Sequence, residues 1–384
     1  MKLLHTSDLH IGISLFGEDM LPFQERLGVI LSECVISCDA DCIVIAGDVY
    51  DSAVVTGEAV KCWDRLCSRL AGIKKENSLL TVPVIVISGN HDSAPRLSVC
   101  SELLEQCGLH IRGSFRDFER PIAVGDTDIY CIPYFNLSEA RELFSDSRIS
   151  SYTDAFEEMT SRIRASWDPQ RKHIIAAHCF VTGAGISESE RASKGAVISA
   201  GGAQMVSADV FREFDYAALG HLHRPQTIKC SADDKCIVRY SGTPMPYSFS
   251  EAGQAKSVTV YDTVKRCAEE IKFPELISLE TVKGSYEEVM AAEVPEKAYI
   301  RVILTDRTTA AGLYENLRER FPNMLRLECA AVRTADSGEK GNGEEITAMS
   351  AAELAERYMH EMFGQELTAE HLKWLDEAEN FCEE

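Results

Sequence analysis

Five short blocks constrain this chain more than any bulk property does: SDLH at Ser7–His10, GDVYD at Gly47–Asp51, GNHD at Gly89–Asp92, AAHC at Ala176–Cys179 and GHLH at Gly220–His223. Each closes an apolar run, namely KLLHTSD, DCIVIAGD, VPVIVISGN, HIIAAH and the segment Tyr216–Leu219. Helical patterns, PFQERLGVILSECVISC and about Gly57 to Leu70, separate the first three runs, so the order reads strand, helix, strand, helix, strand. Strands that read as continuous apolar runs and are fed by crossover helices belong to a sheet buried on both faces. With further strands at CIVRYSG (Cys236–Gly242) and SVTVYD (Ser257–Asp262), the expectation is a layered α/β sandwich of mixed strand direction.

The blocks also bear chemistry. α/β folds place their sites at strand ends, and in extended backbone residues i and i+2 point to one side. Asp8 with His10, and His221 with His223, therefore each offer two donors to one point, while Gly47, Gly89 and Gly220 relieve the sharp turns beside them. Carboxylate, imidazole and amide donors without thiolates suit Mn²⁺, Fe²⁺ or Zn²⁺, with Mg²⁺ also admissible, and argue against a structural zinc. The seven candidates Asp8, His10, Asp48, Asn90, His178, His221 and His223 are more than one ion needs. Two-metal hydrolases hold their ions roughly 3.5–4 Å apart with a shared carboxylate. Two dications against two carboxylates leave a positive site, which draws an anion such as a phosphodiester. His91 follows Asn90 directly, so it is expected to point away from the ligands, toward substrate, as a general acid or electrostatic stabiliser. A single block signifies little, since one Asp or His beside a glycine is commonly a capped turn; five in this order are specific. His5, His110, His173, His360 and His371 lack such company and are expected to be structural.

Charge complicates a nucleic-acid reading. The chain carries a net −22, where phosphate-binding proteins usually show a basic footprint. Residues 275–384 hold 24 Asp/Glu against 11 Lys/Arg, so much of the acidity lies away from the blocks. The 14 cysteines are scattered singly in apolar stretches and are expected to be reduced and mostly buried. The sequence shows neither a membrane-spanning apolar run nor a secretory pattern, and the expected location is the cytoplasm. The polar segment between Cys179 and Gly202 reads either as a functional surface loop or as a plain insertion. From about Glu275 a small α+β pattern begins, followed by the linker-like TADSGEKGNGEE and two acidic amphipathic helices. The first helix starts at a capping box, Ser350 to Glu353. These helices dock either on a partner or on the chain itself.

Taken with their order, the blocks D-x-H, G-D-x-x-D, G-N-H-D, H and G-H-x-H resemble the calcineurin-like metallophosphoesterases. That resemblance implies an α/β/β/α sandwich and two ions. One would be held by Asp8, His10, Asp48 and His223, the other by Asp48, Asn90, His178 and His221, with Asp48 as the bridge and His91 facing substrate. Within that superfamily MKLLHTSDLHIG, IAGDVYDSA, ISGNHDS, GHLHRPQ and YSGTPMPYSFSE (Tyr240–Glu251) are similar to the SbcD branch of DNA nucleases. The similarity implies a Mn²⁺-dependent exonuclease and endonuclease domain over 1–270, a small α+β capping domain over 271–334, a linker over 335–348 and partner-binding helices over 349–384. It further implies DNA as substrate, an SbcC-type coiled-coil ATPase as partner, and a nuclease homodimer inside a heterotetramer. Asp51 and Ser52 stand where related enzymes often have a second histidine, so that role is not carried over. Arg96, Lys194 and Arg224 are the basic residues expected to meet DNA, helped by the partner. A phosphoesterase for a small phosphorylated or cyclic-nucleotide substrate, and a metal-free scaffold, are the competing readings.

Overall fold

A computed structural model describes residues 1–75, 81–145, 147–183, 205–230, 235–306 and 312–329. Its strands are, in chain order, β1 (Lys2–Thr6), β2 (Ser14–Leu15), β3 (Glu18–Asp19), β4 (Cys42–Ala46), β5 (Val84–Ile87), β6 (Leu109–Arg112), β7 (Ile122–Val124) and β8 (Thr127–Ile132). There follow β9 (Lys172–His178), β10 (Tyr216–Gly220), β11 (Gln226–Ile228), β12 (Ile237–Tyr240), β13 (Ser257–Asp262), β14 (Cys267–Lys272), β15 (Leu279–Gly284), β16 (Tyr299–Leu304) and β17 (Met324–Cys329). The chain divides into two units, Met1–Thr281 with Val294–Ile300, and Val282–Glu293 with residues from Arg301 onward.

The first unit is built on two six-stranded sheets, ordered β14-β13-β1-β4-β5-β6 and β11-β12-β10-β9-β8-β7. In the first, β1, β4, β5 and the edge strand β6 run parallel and β13 and β14 pair antiparallel; in the second, β8, β9, β10 and β12 run parallel between the antiparallel edge strands β7 and β11. The two-residue period of a strand explains how each sheet is covered twice. Ile174 and Ala176 of β9 join a core with Leu3, Val44, Ala46, Ile85 and Ile87 of the other sheet, between the layers. Their neighbours Ile175 and Ala177 face the opposite way, into a core with Phe156, Met159 and Ile163 of the helix Tyr152–Ser166. Helix, sheet, sheet, helix is thus the layering expected for apolar strands.

The helices carry matching signals. Gly57–Ala71 buries Ala59, Cys62, Trp63, Leu66, Cys67 and Leu70, a 3.6-residue stripe, behind a Thr56 cap that accepts from the Ala59 N–H. The helix expected from PFQERLGVILSECVISC is instead two, Leu21–Gln24 and Leu27–Cys38. The break follows from Gln24, whose buried amide is committed to the first block: Nε2 donates to the His10 carbonyl at 2.8 Å and Oε1 accepts from Gly12 N–H at 2.9 Å. Strands β6, β7 and β8 and the Tyr152–Ser166 helix are additions to the elements expected from sequence. Every residue of β8 is buried, and that helix opens with a Ser151/Asp154 capping box, a legible signal.

The three-stranded sheet β15-β16-β17 stands with the short helices Tyr286–Ala291 and Leu313–Arg320, the α+β pattern expected there. In β16, Ile300, Val302 and Leu304 alternate as the buried set. The capping box at Ser350, the terminal helices, most of the 179–202 segment, Lys194, His360 and His371 lie outside the described residues. No disulfide joins any of the 13 described cysteines, and seven of them are buried. Among the described residues no helix is long and apolar enough to cross a membrane.

Candidate metal centre

Asp8, Asp48, Asn90, His178 and His221 all sit at or just past the C-terminal ends of parallel strands, β1, β4, β5, β9 and β10. The adjacent loops are tied together beyond the strands, with Asp8 N–H donating to Gly47 O at 2.9 Å and His10 N–H to Asp48 O at 3.0 Å. Holding the side chains inward demands unusual backbone. Asp8 (φ 53°), His10 (φ 44°), Asp48 (φ 49°) and His221 (φ 110°) are four of the eight non-glycine residues with positive φ among those described. Such conformations cost of order 1–3 kcal/mol each and persist only where surroundings impose them. Glycine is obligatory where these loops meet: a Cβ on Gly89 would lie 2.1 Å from Asp48 Oδ1, and one on Gly220 would lie 1.8 Å from Ala46 O.

Three triads of donor atoms result, Asp8/His10/His223, His10/Asp48/His91 and Asp48/His178/His221, each with its atoms within 4.8 Å of one another. Asn90 completes the last, its Oδ1 lying 3.1 Å from His178 Nε2 and 2.9 Å from His221 Nδ1, with those two nitrogens 3.3 Å apart. Spacings near 3 Å are those of neighbouring ligand atoms on one ion with bonds of about 2.1 Å. Asp48 Oδ2 lies 3.4 Å from His178 Nε2 and 3.8 Å from His10 Nε2, between the two donor sets. Both ring nitrogens of His10 are buried without a hydrogen-bond partner, although Nδ1 is 3.3 Å from Asp51 Oδ1. The donor set fits divalent ions: all oxygen and nitrogen, and Asp8, His10, Asp48 and His178 are between 0% and 3% exposed, an expensive arrangement without a cation.

Tautomers follow from the neighbours. His178 Nδ1 donates to the Ala46 carbonyl at 2.9 Å, which turns the Nε2 lone pair inward. Burial alone would lower His178, but the Asp48 and Asp8 carboxylates and that carbonyl outweigh it and push it up to about 9. Burial likewise opposes ionisation of Asp48, and the charges of His178, His10 and His91 hold it well below the usual carboxylate range. His91 departs from the expectation that its ring avoids the ligands: the ring is 4.8 Å from that of His10 and shares a triad with Asp48. Its backbone N–H donates to Asp48 Oδ1 at 2.9 Å, and Nδ1 pairs with the Asp51 carbonyl at 2.7 Å, leaving Nε2 to exchange a proton.

Sequence reasoning overlooked the second layer. Asp92 gathers the N–H groups of Gly89, Val49 and Tyr50 at 2.8, 3.1 and 2.9 Å, binding the GDVYD and GNHD turns to each other. Burial, then the Asp48 charge, raise its pKa. Glu251 Oε1 lies 3.1 Å from His223 Nδ1. Burial pushes Glu251 up, yet Lys256 and His223 bring it down to about 2. Asp92 was readable as the fourth letter of GNHD; nothing local distinguished Glu251 from a surface acid. Arg96 and Arg224 are exposed, and the Arg96 guanidinium donates to the Ala53 carbonyl.

Two family models match the chain. Calcineurin-like phosphoesterase covers residues 1–225, and the SbcD C-terminal domain, described as type 5 capsule protein repressor C-terminal domain, covers 276–363. Among solved structures, the chain is similar to TT1561 of Thermus thermophilus, at 12% identity and a TM-score of 0.40 over 71% of this chain and 98% of that one. It is also similar to a novel archaeal phosphodiesterase (15%, TM-score 0.32, 71% of this chain and 100% of that one). A third is GAP50, the anchor in the inner membrane complex of Plasmodium (10%, TM-score 0.39, 72% of this chain and 89% of that one).

Proposed function

The chain belongs to the calcineurin-like phosphoesterases, metal-dependent hydrolases of phosphoesters, and from that premise we propose that it is the SbcD-type nuclease subunit of a DNA-processing complex. The observation that carries the hydrolytic reading is Asp48 Oδ2 set between two donor groups, Asp8/His10/His223 and Asn90/His178/His221. In this reading Asp48 is shared by two ions, most suitably Mn²⁺, and the other six residues divide between them. Bound ions supply Lewis acidity toward the phosphoryl oxygens and a more acidic water. The chain's own part is to hold the donors in register through strained turns, to keep Asp48 ionised, and to present His91 Nε2 to the leaving or attacking oxygen. Its Nδ1 is committed to Asp51 O, so only Nε2 is available for proton transfer.

DNA as substrate is supported by the match over residues 276–363. The net charge of −22 means the chain contributes little electrostatic attraction of its own. Exposed Arg96 and Arg224 are local phosphate contacts, and the remaining positive surface comes from an SbcC-type coiled-coil ATPase. Residues 271–334 form the capping domain, 335–348 the linker and 349–384 the partner-binding helices. The assembly is a heterotetramer around a nuclease homodimer, acting in the cytoplasm in DNA end processing, recombination and repair.

The test supplies purified chain, with and without that ATPase, with Mn²⁺ and either end-labelled duplex DNA or bis-p-nitrophenyl phosphate. Cleavage of both, with DNA cleavage strengthened by the partner, is the expected result. Hydrolysis of the small ester alone, with DNA untouched even in the complex, would overturn the nuclease reading in favour of a small-substrate phosphoesterase.

A further inference from the structure

The segment from Ser241 to Lys256 reaches the centre at three points. Ser241 Oγ lies 3.1 Å from Ser7 Oγ, and Ser7 donates to Asp8 Oδ2 at 2.5 Å. The Tyr247 ring sits edge-on to His10 at 5.6 Å and to His223 at 6.2 Å, while its hydroxyl donates to the Leu9 carbonyl. Thr243 N–H donates to the His223 carbonyl at 3.1 Å, and Glu251 Oε1 faces His223 Nδ1 at 3.1 Å. Asp8, His10 and His223 are the members of one donor triad. The opposite position is held differently: His178 Nδ1 gives its proton to a neutral backbone carbonyl, Ala46 O.

Glu251 is costly for an ordinary loop. It is 1% exposed and Lys256 is 7% exposed, and burying either charge is expensive unless it is paired. Lys256 Nζ meets Glu251 Oε2 at 2.5 Å and Thr243 Oγ1 at 2.8 Å, and Thr243 Oγ1 also donates to Glu251 Oε2 at 3.2 Å. One carboxylate oxygen is thus satisfied by Lys256 and Thr243, and the other is shared by His223 Nδ1 and the Ser248 hydroxyl, which donates to it at 3.2 Å. A carboxylate acceptor on Nδ1 fixes the imidazole with Nε2 inward and makes that nitrogen a stronger donor than a carbonyl acceptor does.

We propose that the Ser241–Lys256 segment is an outer cradle for the Asp8/His10/His223 position alone, with Glu251 as its positioning residue, and that the two ion positions are therefore unequal in what sustains them. The proposal rests on the dimetal reading of the centre. It reassigns the YSGTPMPYSFSE stretch, which the resemblance associates with DNA processing, to metal retention. Because the Glu251–Lys256 pair touches no substrate, its loss shows as metal lost from one position and restored by excess metal, with chemistry intact once both ions are in place.

The experiment titrates metal-free full-length chain with Mn²⁺ and counts bound ions from the electron paramagnetic resonance of free Mn²⁺. Wild type should bind two per chain; clearly fewer would sink the dimetal reading itself, independently of the proposal. Glu251→Gln and Lys256→Met should each keep one ion unchanged and weaken the other by about 10–100-fold, the range for outer-layer partners of metal ligands. In a His178→Ala background, which removes the other position, Glu251→Gln should take the remaining ion. Wild-type binding of both ions by Glu251→Gln, or equal loss of both with circular dichroism unchanged, overturns the proposal. If neither charge variant folds, Thr243→Val, which removes one hydrogen bond to the carboxylate, carries the test: weaker binding at one position supports it and unchanged binding at both overturns it.

Discussion

His5 and His178 are both sealed between the two sheets, His5 at 0% and His178 at 1% exposure, yet their surroundings drive them in opposite directions. At His5, burial and the Arg239 charge bring the pKa down to about 3, and the ring is occupied by the Tyr216 hydroxyl at 2.9 Å and the Leu219 carbonyl at 3.2 Å. At His178 the same burial is overcome by Asp48 and Asp8. Burial therefore does not separate a structural histidine from a proposed metal ligand. The charge within a few ångströms does, because in a low-dielectric interior an unscreened carboxylate outweighs desolvation.

The severest way to break this contrast is to remove the charge. Asp48→Ala should lose metal at both positions and lower phosphodiester hydrolysis by more than about 10⁴-fold, beyond what loss of one proton-transfer group costs. Metal stoichiometry with a steady-state rate measures both; retention of two ions would refute the shared role of Asp48. His91→Ala comes next. It should keep two ions and lower kcat by about 10²–10⁴-fold with KM little changed. A variant that cuts as fast as wild type would remove His91 from the chemistry.

pH sharpens the contrast further. A proton on His178 competes with metal for Nε2, so Mn²⁺ affinity should climb by up to about tenfold per pH unit as pH rises toward about 9, and then level off. Isothermal titration at several pH values checks the slope. In the metal-free chain the raised pKa of His178 contributes stability that is fully present below about 6.5 and lost as pH rises through about 9. His5 has the opposite sign, because its folded pKa lies below the unfolded one. Its contribution is complete above about pH 6.5 and falls by up to about 1.4 kcal/mol per unit as pH drops toward 3. The smallest effect is expected from His5→Leu, which should cost about 1–3 kcal/mol by orphaning the Tyr216 hydroxyl, flatten the acid-side slope in urea melts and leave two ions bound.

His5 also shows what was readable from residues. It reads as structural because no Gly-flanked block surrounds it, and His173, stacked on Trp167 at 4.0 Å, behaves likewise. The seven proposed ligands and His91 were legible because their spacing is local: strand ends, glycine turns and i, i+2 pairs. Strands β1, β4, β5, β9, β10 and β13 were legible because apolar runs buried on both faces leave an unmistakable pattern. Strand β7, with one residue fully buried, carries too little signal, and β8 hides polar residues Thr127 and Asp128 among its buried set. Gln24 reaches Tyr247 across the chain, and Glu251 and Lys256 are set apart from ordinary surface charges by burial and by His223 28 positions before Glu251, none of which a local pattern encodes.

By itself the sequence determined the α/β class, the strand ends that bear chemistry and the donor types available there, since periodicity, glycine and side-chain chemistry are local properties. Only the tertiary structure decided how donors are grouped into triads, that Asp48 stands between them, that His91 joins rather than avoids them, and that a buried Glu251–Lys256 pair faces His223. These depend on which strands become neighbours and on the electrostatic environment that their packing creates around Asp48, His178 and His223.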